Sequence, residues 1–221
     1  MNRKTDIPVF LADDHAIVRK GLRSLLELES GMLIIGEAGD GIEAIRKVEE
    51  LQPDILVLDI SLPLLNGLEV ARQLSKRCPE VKIIILSMHD SEELVLETLR
   101  AGVKGYVVKR SAPEQLVSAI RAVSLGKTFF SPEIAETIKE RIVRQFPQTE
   151  TKIPQTPVLT ERETQVLQLV AEGHCNHEIA KLLQISIKTV ENHRAKIMEK
   201  MNFKNITDLI RYAISKGIIQ L

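Results

Sequence analysis

The first 125 residues alternate short apolar runs with longer stretches in which apolar residues recur every three or four positions. Short runs rich in β-branched residues are typical of strands that are buried on both faces of a parallel sheet. The longer stretches have the spacing of amphipathic helices. Strands are predicted at 9–12, 33–37, 55–58, 81–86 and 106–108. Helices are predicted at 16–28, 41–51, 68–77, 92–101 and 113–125. Five such units in a row predict a doubly wound α/β domain with five parallel strands.

The alternation of strands and helices stops after residue 128. Residues 132–145 have a helical pattern, and 146–157 contain three prolines and no apolar periodicity, which is typical of a linker. From Thr160 onward the pattern is helical only, with four helices, and a short turn separates the helices at 176–183 and 187–201. The sequence therefore predicts an α/β domain at 1–128, a linker at 129–157 with a helix near 132–145, and an all-α helix-turn-helix domain at 158–221.

Polar residues before four of the predicted helices are arranged as N-terminal caps. An acceptor stands at the N-cap and a glutamate three positions later, a pattern that satisfies free backbone N–H groups of the first turn. The pairs are Asp40 with Glu43, Asp90 with Glu93, Ser111 with Glu114, and Thr160 with Glu163.

Composition excludes several classes of protein. The chain of 221 residues is 44% hydrophobic and 27% charged, as in ordinary globular proteins. No apolar run approaches the roughly 18 residues of a membrane span, and no signal sequence precedes the first strand, so we expect a cytoplasmic protein. The two cysteines, Cys78 and Cys175, are expected to be free thiols. Residues 1–128 have a net charge of −2 and residues 158–221 of +2, so charge alone does not indicate a nucleic-acid binder.

Polar side chains stand at the ends of four predicted strands. Asp13 and Asp14 follow the first strand, Asp59 the third, Ser87 the fourth and Lys109 the fifth. The carboxyl ends of parallel strands form the ligand-binding edge of such a sheet, so we expect these groups to converge. Clustered carboxylates favour Mg²⁺, and a carboxylate can act as nucleophile toward a phosphoryl group. Phosphoryl transfer also needs positive charge, which Lys109 supplies.

These residues resemble the receiver domains of two-component response regulators. The resemblance covers residues 8–127 and includes Ile-Leu-Val-Leu-Asp-Ile-Ser-Leu-Pro at 55–63, Asn66-Gly67 and Ala-Gly-Val-Lys-Gly-Tyr at 101–106. It implies that Asp59 is the phospho-acceptor, with Lys109 and Ser87 binding the phosphoryl group and Tyr106 moving with Ser87 as a switch. It further implies a Mg²⁺ site, whose ligands are Asp13, Asp14, Asp59 and the backbone carbonyl of Ser61.

Three residues beside this site need comment: one differs from the usual receiver sequence, and two are histidines with no expected role. Arg110 follows Lys109 where many receivers have proline, which leaves the geometry of that loop open. His15 and His89 lie beside the site, and the sequence favours no direct role for either.

The second helix of the predicted helix-turn-helix has two distinct faces. Val190, Ile197 and Met201 form an apolar stripe, and Lys188, Asn192, Ala195 and Glu199 lie opposite, flanked by Thr189, Glu191 and Lys196. In a helix-turn-helix the second helix enters the major groove of DNA. Lysine can neutralise a phosphate, asparagine can pair with adenine, and glutamate can accept from cytosine.

This segment resembles the DNA-binding domain of the NarL/FixJ (LuxR-type) regulators. The matching residues are Leu-Thr-Glu-Arg-Glu at 159–163, Asn-His-Glu-Ile-Ala at 176–180, Leu183, Ser186, Lys-Thr-Val at 188–190, His193, Ile197, Lys200-Met201 and Lys216-Gly217. The resemblance implies that Glu191, Asn192 and Ala195 face the bases. Backbone contacts are expected from Lys188, Thr189, His193, Arg194 and Lys196. Leu209, Ile210, Ala213 and Ile214 are implied as dimer contacts, in competition with burial in the core.

The sequence as a whole predicts a transcriptional regulator rather than an enzyme, whose only covalent chemistry is phosphorylation and dephosphorylation of Asp59. Its expected partners are a sensor histidine kinase, promoter DNA and a second copy of the chain when phosphorylated, with RNA polymerase as a further candidate. Two alternatives stay open. One is a DNA-binding regulator independent of phosphate, whose receiver only dimerises. The other is an aspartyl phosphatase, against which Ser61 argues, because such enzymes usually have aspartate at that position.

Overall fold

The computed structural model describes residues 6–88, 91–136 and 159–219, and the chain separates into two compact units. The first is built on a parallel sheet and the second on the helices after residue 159. The predicted domain boundaries at 128 and 158 stay predictions.

The sheet of the first unit contains six parallel strands in the order β2-β1-β3-β4-β5-β6. Their bounds are β1 (Ile7–Ala12), β2 (Met32–Ala38), β3 (Ile55–Asp59), β4 (Lys82–Ser87), β5 (Gly105–Val108) and β6 (Phe129–Phe130). The five predicted strands are confirmed, each within two residues at its ends. The sixth is new: two residues are too few to produce a periodic pattern, and β6 exists because its backbone pairs with β5.

Helices cover both faces of this sheet. Their bounds are α1 (Ala16–Glu27), α2 (Gly41–Leu51), α3 (Gly67–Arg77), α4 (Glu92–Arg100) and α5 (Ala112–Ser124). On one face, α1 and α5 pack against alternate strand residues such as Val9, Val57 and Ile84. The intervening residues, among them Phe10 and Leu56, are fully buried as well. Burial of both strand faces explains why the strands read as continuous apolar runs.

The caps of these helices follow the prediction in part. The Asp40 side chain accepts from the Glu43 N–H at 2.7 Å and caps α2. The N-cap of α4 is Ser91 rather than Asp90, which lies outside the described residues. Ser111 precedes α5, but its hydroxyl donates to the Val108 carbonyl instead of accepting from the helix. Sequence spacing identified these helix starts but not which local hydrogen bond each side chain makes.

The second unit contains α6 (Glu161–Ala171), α7 (Asn176–Leu183), α8 (Ile187–Lys200) and α9 (Ile206–Ser215). Thr160 and Glu163 form the predicted capping box at the start of α6. Side chains from all four helices meet in one apolar core that includes Val166, Ile179, Val190 and Leu209. Residues 132–136, in the first unit, are helical, and the rest of the predicted helix near 132–145 lies outside the described residues.

Two further findings concern the described part of the chain. No helix in that part is both long enough and apolar enough to cross a membrane. Cys78, which is buried, and Cys175, which is exposed, are both free, as predicted.

Candidate functional site

The predicted polar residues converge at the carboxyl edge of the sheet. Asp13 and Asp14 directly follow β1, Asp59 ends β3, Ser87 ends β4, and Lys109 directly follows β5. These four strands are neighbours in the sheet, so chain segments that are almost a hundred residues apart end side by side. The parallel arrangement is the physical reason for the convergence, because it directs every carboxyl end to the same edge.

Lys109 joins two buried carboxylates at this edge. Its Nζ lies 2.7 Å from Asp59 Oδ2 and 2.8 Å from Asp13 Oδ2. Asp13 and Asp59 are each only 1% exposed, so the ammonium compensates two charges that water does not reach. Burial raises the pKa of Asp59 above its usual range, and Lys109 opposes this effect without cancelling it. Burial alone would lower the pKa of Lys109, but Asp59 and Asp13 outweigh it and raise the pKa.

The backbone around Asp59 is closely confined. The Ser61 N–H donates to Asp59 Oδ1 at 3.2 Å, so each carboxylate oxygen has its own donor. Gly67, at the start of α3, donates to the Ile60 carbonyl at 2.8 Å. A Cβ on Gly67 would lie 2.1 Å from the Asp59 carbonyl oxygen. Only glycine permits this approach, a role that the Asn66-Gly67 motif did not reveal from sequence alone.

Asp14 and His15 complete an open side of the site. Asp14 is one-third exposed, and His15 Nδ1 lies 2.6 Å from Asp14 Oδ1 and 3.6 Å from Asp13 Oδ1. One ligand atom from each of Asp13, Asp14, His15 and Asp59 lies within 4.8 Å of the others, a spacing that could hold one metal ion. This acidic cluster is typical of Mg²⁺ sites in receiver domains. Sequence reasoning gave His15 no part in it, because nothing in the pattern reveals where a loop side chain points.

The two predicted switch residues are buried in the sheet. Ser87 is 1% exposed and Tyr106 is fully buried. The new strand β6 pairs with the strand that contains Tyr106: the Phe129 N–H donates to the Lys104 carbonyl, and the Ser131 N–H donates to the Tyr106 carbonyl. Residues Lys109–Ser111, including the atypical Arg110, form a single 3₁₀ turn. His89 lies outside the described residues.

The second unit has the predicted helix-turn-helix. Ser186 caps α8 by accepting from the Thr189 N–H at 3.0 Å. Val190 and Ile197 lie in the core, whereas the opposite side of α8 is turned to solvent. Of the predicted DNA contacts, Lys188, Glu191, Asn192, Ala195 and Lys196 are exposed, and Thr189, His193 and Arg194 are partly exposed. Arg194 donates to the Asn176 side chain at 2.6 Å and thereby links α8 to α7.

Two of the four predicted dimer contacts on α9 lie in the core of the unit, as the competing interpretation allowed. Leu209 and Ala213 are at most 1% exposed and belong to the core of the unit. They face inward because they are one helical turn apart on the side that packs against α6. Ile214 is exposed and Ile210 partly exposed, so these two remain available for a dimer contact.

Among the described residues, His174, Cys175 and His177 do not form a metal-binding group.

Fold and site together define the class. A parallel α/β domain with an acidic cluster and a lysine at the carboxyl edge of its sheet, followed by a helix-turn-helix, is the arrangement of a two-component response regulator. Family models agree over both parts: residues 9–121 match the response regulator receiver domain, and residues 157–213 match the bacterial regulatory proteins of the luxR family.

Known proteins are similar to this chain over between 63% and 96% of its length. The oxygen regulatory protein NreC of Staphylococcus epidermidis is 39% identical over 215 residues, which is 96% of this chain and 99% of the relative. A LuxR-family response regulator from Aurantimonas sp. has a TM-score of 0.61 at 40% identity and covers 63% of this chain and 99% of its own. The response regulator RcsB in complex with DNA has a TM-score of 0.60 at 29% identity, covering 96% and 99%.

The chain therefore belongs to the response regulators that combine a receiver domain with a LuxR-type DNA-binding domain. It is a regulator of transcription that depends on phosphorylation.

Proposed function

We propose that Asp59 accepts a phosphoryl group from a sensor histidine kinase, and that this modification controls dimerisation and sequence-specific DNA binding. One observation carries the proposal: Lys109 Nζ lies within 2.8 Å of both Asp13 and Asp59 at the carboxyl edge of the sheet. A lysine held in this way supplies positive charge at the place where a phosphoryl group on Asp59 would bring negative charge.

The reaction follows from the chemistry of the carboxylate. An oxygen of Asp59 attacks the phosphorus of the kinase phosphohistidine, an O–P bond forms, and the N–P bond to the imidazole breaks. The group is transferred intact, so the main demands on the protein are position and charge compensation. Asp13 holds Lys109 at the site, and the Lys109 ammonium pairs with the new phosphoryl oxygens. The protein's only covalent chemistry is the gain and hydrolytic loss of this group.

Mg²⁺ suits the donor set beside Asp59. The cluster offers three carboxylates whose ligand atoms lie within 4.8 Å, and oxygen ligands in such number are those that Mg²⁺ prefers. Asp13, Asp14, Asp59 and the backbone carbonyl of Ser61 would hold the ion, which neutralises phosphoryl oxygens when bound. The partial exposure of Asp14 leaves one side open to water and to the phosphodonor.

Ser87 and Tyr106 would carry the signal from the site. Ser87 ends the strand next to β3 and could donate to a phosphoryl oxygen, and Tyr106 lies in the following strand of the sheet. A shift of β4 toward the phosphoryl group would change the packing around Tyr106. Because β6 pairs with β5, a change in packing around Tyr106 would also move β6. The segment that leads to the second domain follows β6, so the change would be passed on to it.

DNA binding is assigned to the exposed side of α8. Glu191, Asn192 and Ala195 would face base edges, and Lys188, Thr189, His193, Arg194 and Lys196 would contact the phosphate backbone. RcsB, to which this chain is similar over nearly its whole length, has been solved in complex with DNA, which supports DNA binding by this chain. Ile210 and Ile214 are the remaining candidates for a dimer contact on α9. RNA polymerase is a further candidate partner at a promoter.

The test is the intact mass of the full chain after incubation with Mg²⁺ and acetyl phosphate. Wild type is expected to gain the mass of one phosphoryl group, and Asp59→Asn is expected to gain none. Asp54→Asn is the matched control, because Asp54 is exposed and lies at the opposite end of β3; it should gain the group as wild type does. Absence of any gain in folded wild-type protein would refute Asp59 as the acceptor and favour a regulator that acts without phosphate.

A further inference from the structure

His15 adds a nitrogen donor to a site that otherwise offers only oxygen. Its backbone N–H donates to Asp13 Oδ1 at 2.8 Å, which fixes the loop after β1. The imidazole then lies over the carboxylates, with Nδ1 2.6 Å from Asp14 Oδ1 and 3.6 Å from Asp13 Oδ1. Although the side chain is 63% exposed, Nδ1 therefore lies within reach of the cluster.

The distances suit a shared ion. Nδ1 of His15 and one oxygen from each of the three aspartates lie within 4.8 Å of one another, so a single cation could reach all four. The 2.6 Å distance between His15 Nδ1 and Asp14 Oδ1 brings these two donor atoms close enough to bind the same cation. The exposure of His15 and Asp14 leaves the remaining coordination positions to water or phosphoryl oxygens.

The choice of donor decides which cations such a site prefers. Carboxylate and carbonyl oxygens suit Mg²⁺, whereas an imidazole nitrogen favours the later divalent transition metals, whose affinity rises from Mn²⁺ toward Cu²⁺. We propose that His15 is a direct ligand for a divalent transition-metal ion at this site and that it sets the preference of the site for such ions over Mg²⁺. This inference rests on the proposed role of Asp13, Asp14 and Asp59 as cation ligands.

Metal binding to the full chain tests the proposal, with Co²⁺ and Mg²⁺ as probes in isothermal titration calorimetry. His15→Ala is expected to weaken Co²⁺ binding on the order of 10–100-fold, the range that even indirect partners of a metal ligand reach, and to change Mg²⁺ binding far less. His177→Ala is the matched control, because His177 is an exposed histidine on α7 in the other unit. It should leave the Co²⁺ affinity of the aspartate site unchanged.

A spectroscopic measurement identifies the ligand directly. Pulsed electron paramagnetic resonance of Mn²⁺ bound to wild type should detect coupling to an imidazole nitrogen. The coupling should disappear in His15→Ala and persist in His177→Ala.

Two results would overturn the proposal. Equal weakening of Co²⁺ and Mg²⁺ in His15→Ala would mean that His15 only positions Asp14, and unchanged Co²⁺ binding would mean that it has no role at the metal. Phosphorylation of wild type with Mg²⁺, measured in parallel by mass, separates this question from the proposed function. Failure of that reaction would count against Asp59 as acceptor, while the binding and resonance data would still decide the role of His15.

Discussion

At the scale of single residues, Lys109 carries the electrostatic balance of the receiver. It is the cation that joins Asp13 and Asp59, both nearly inaccessible to water. Removing one partner of a buried charge pair is strongly destabilising, because the charge that remains has neither a partner nor water. Here two carboxylates would remain, and they would also repel each other.

Replacing Lys109 by methionine should therefore lower the free energy of unfolding of the receiver by about 3 kcal/mol in the presence of a chelator. The measurement is urea denaturation followed through the NMR signals of β1–β5. Asp59→Asn in the same chain should restore part of the loss, and Lys104→Met, at an exposed position, should have little effect. An unchanged stability of Lys109→Met would show that the carboxylates do not need this cation.

The backbone beside Asp59 leaves no room for a side chain at position 67, where the chain has glycine. Because a Cβ would lie 2.1 Å from the Asp59 carbonyl oxygen, Gly67→Ala must displace the backbone at the end of β3. Overpacking of this kind costs about 1–3 kcal/mol, and we expect a slower phosphorylation of Asp59 as well.

Gly21 in α1 is the matched control for this substitution. A Cβ there would meet nothing within 4 Å, so Gly21→Ala should stabilise the chain by about 0.5–1 kcal/mol through helix propensity. Thermal unfolding of both variants checks the prediction. It is wrong if the two substitutions change stability in the same direction.

At the scale of elements, the ion pair between Glu163 and Lys200 joins the first turn of α6 to the last turn of α8. Lys200 Nζ lies 2.7 Å from Glu163 Oε2, and the same oxygen accepts from the Thr160 N–H at 2.8 Å. Burial acts to raise the pKa of Glu163, but these contacts outweigh it and hold the pKa below the usual 4.5. The folded state therefore prefers the charged carboxylate.

Because the pKa is lower in the folded than in the unfolded chain, this stabilisation is present above about pH 4.5 and is lost as the pH falls through the folded pKa. Glu163→Gln should thus destabilise the helical unit by about 1–2 kcal/mol at pH 7, and the difference from wild type should shrink below pH 4.5. Urea titrations at several pH values, read from the NMR signals of α6–α9, provide the measurement. Glu199→Gln, which removes an exposed carboxylate from the same helix α8, should change the stability at pH 7 far less.

The exposed side of α8 should separate two kinds of DNA contact. Asn192→Ala is expected to lower affinity for a duplex selected from a random oligonucleotide library by about 1–3 kcal/mol, with little effect on unrelated DNA. Lys196→Ala should weaken both and reduce the slope of log affinity against log salt by about 0.9. Fluorescence anisotropy at several salt concentrations distinguishes them. Equal behaviour of the two variants would argue against base recognition by Asn192.

At the scale of the whole molecule, the proposed function requires that phosphorylation of the receiver changes DNA binding by the helical unit. Coupling between sites typically amounts to about 1–3 kcal/mol, so acetyl phosphate should raise affinity for the selected duplex on the order of 5–150-fold. The increase should be absent in Asp59→Asn, and sedimentation should show dimers of phosphorylated wild type only. Ile214→Asp should reduce tight DNA binding if α9 contributes to the dimer. No rise in wild type would support the alternative of a regulator that acts without phosphate, and an equal rise in Asp59→Asn would mean that another residue is the phospho-acceptor.

The fold could be predicted from sequence because its central strands β3, β4 and β5 are buried on both faces. Every residue of β3 is buried, so the run Ile-Leu-Val-Leu before Asp59 has no polar interruption. β6 could not be predicted in this way, since its two phenylalanines are only partly buried and depend on pairing with a distant strand. The same limit applies to helix starts such as Ser111, where the choice between two local hydrogen bonds depends on the shape of the loop.

The sequence by itself determined the order of strands and helices, the residues at the carboxyl edge of the sheet, and the polar face of α8. All of these follow from periodicity and from the common direction of parallel strands. Only the tertiary structure decided that Lys109 bridges Asp13 and Asp59, that His15 turns toward the carboxylates, and that Leu209 and Ala213 face the core while Ile214 does not. The physical reason is that side-chain direction and burial depend on neighbours distant in the chain, whereas a periodic pattern records only neighbours along it.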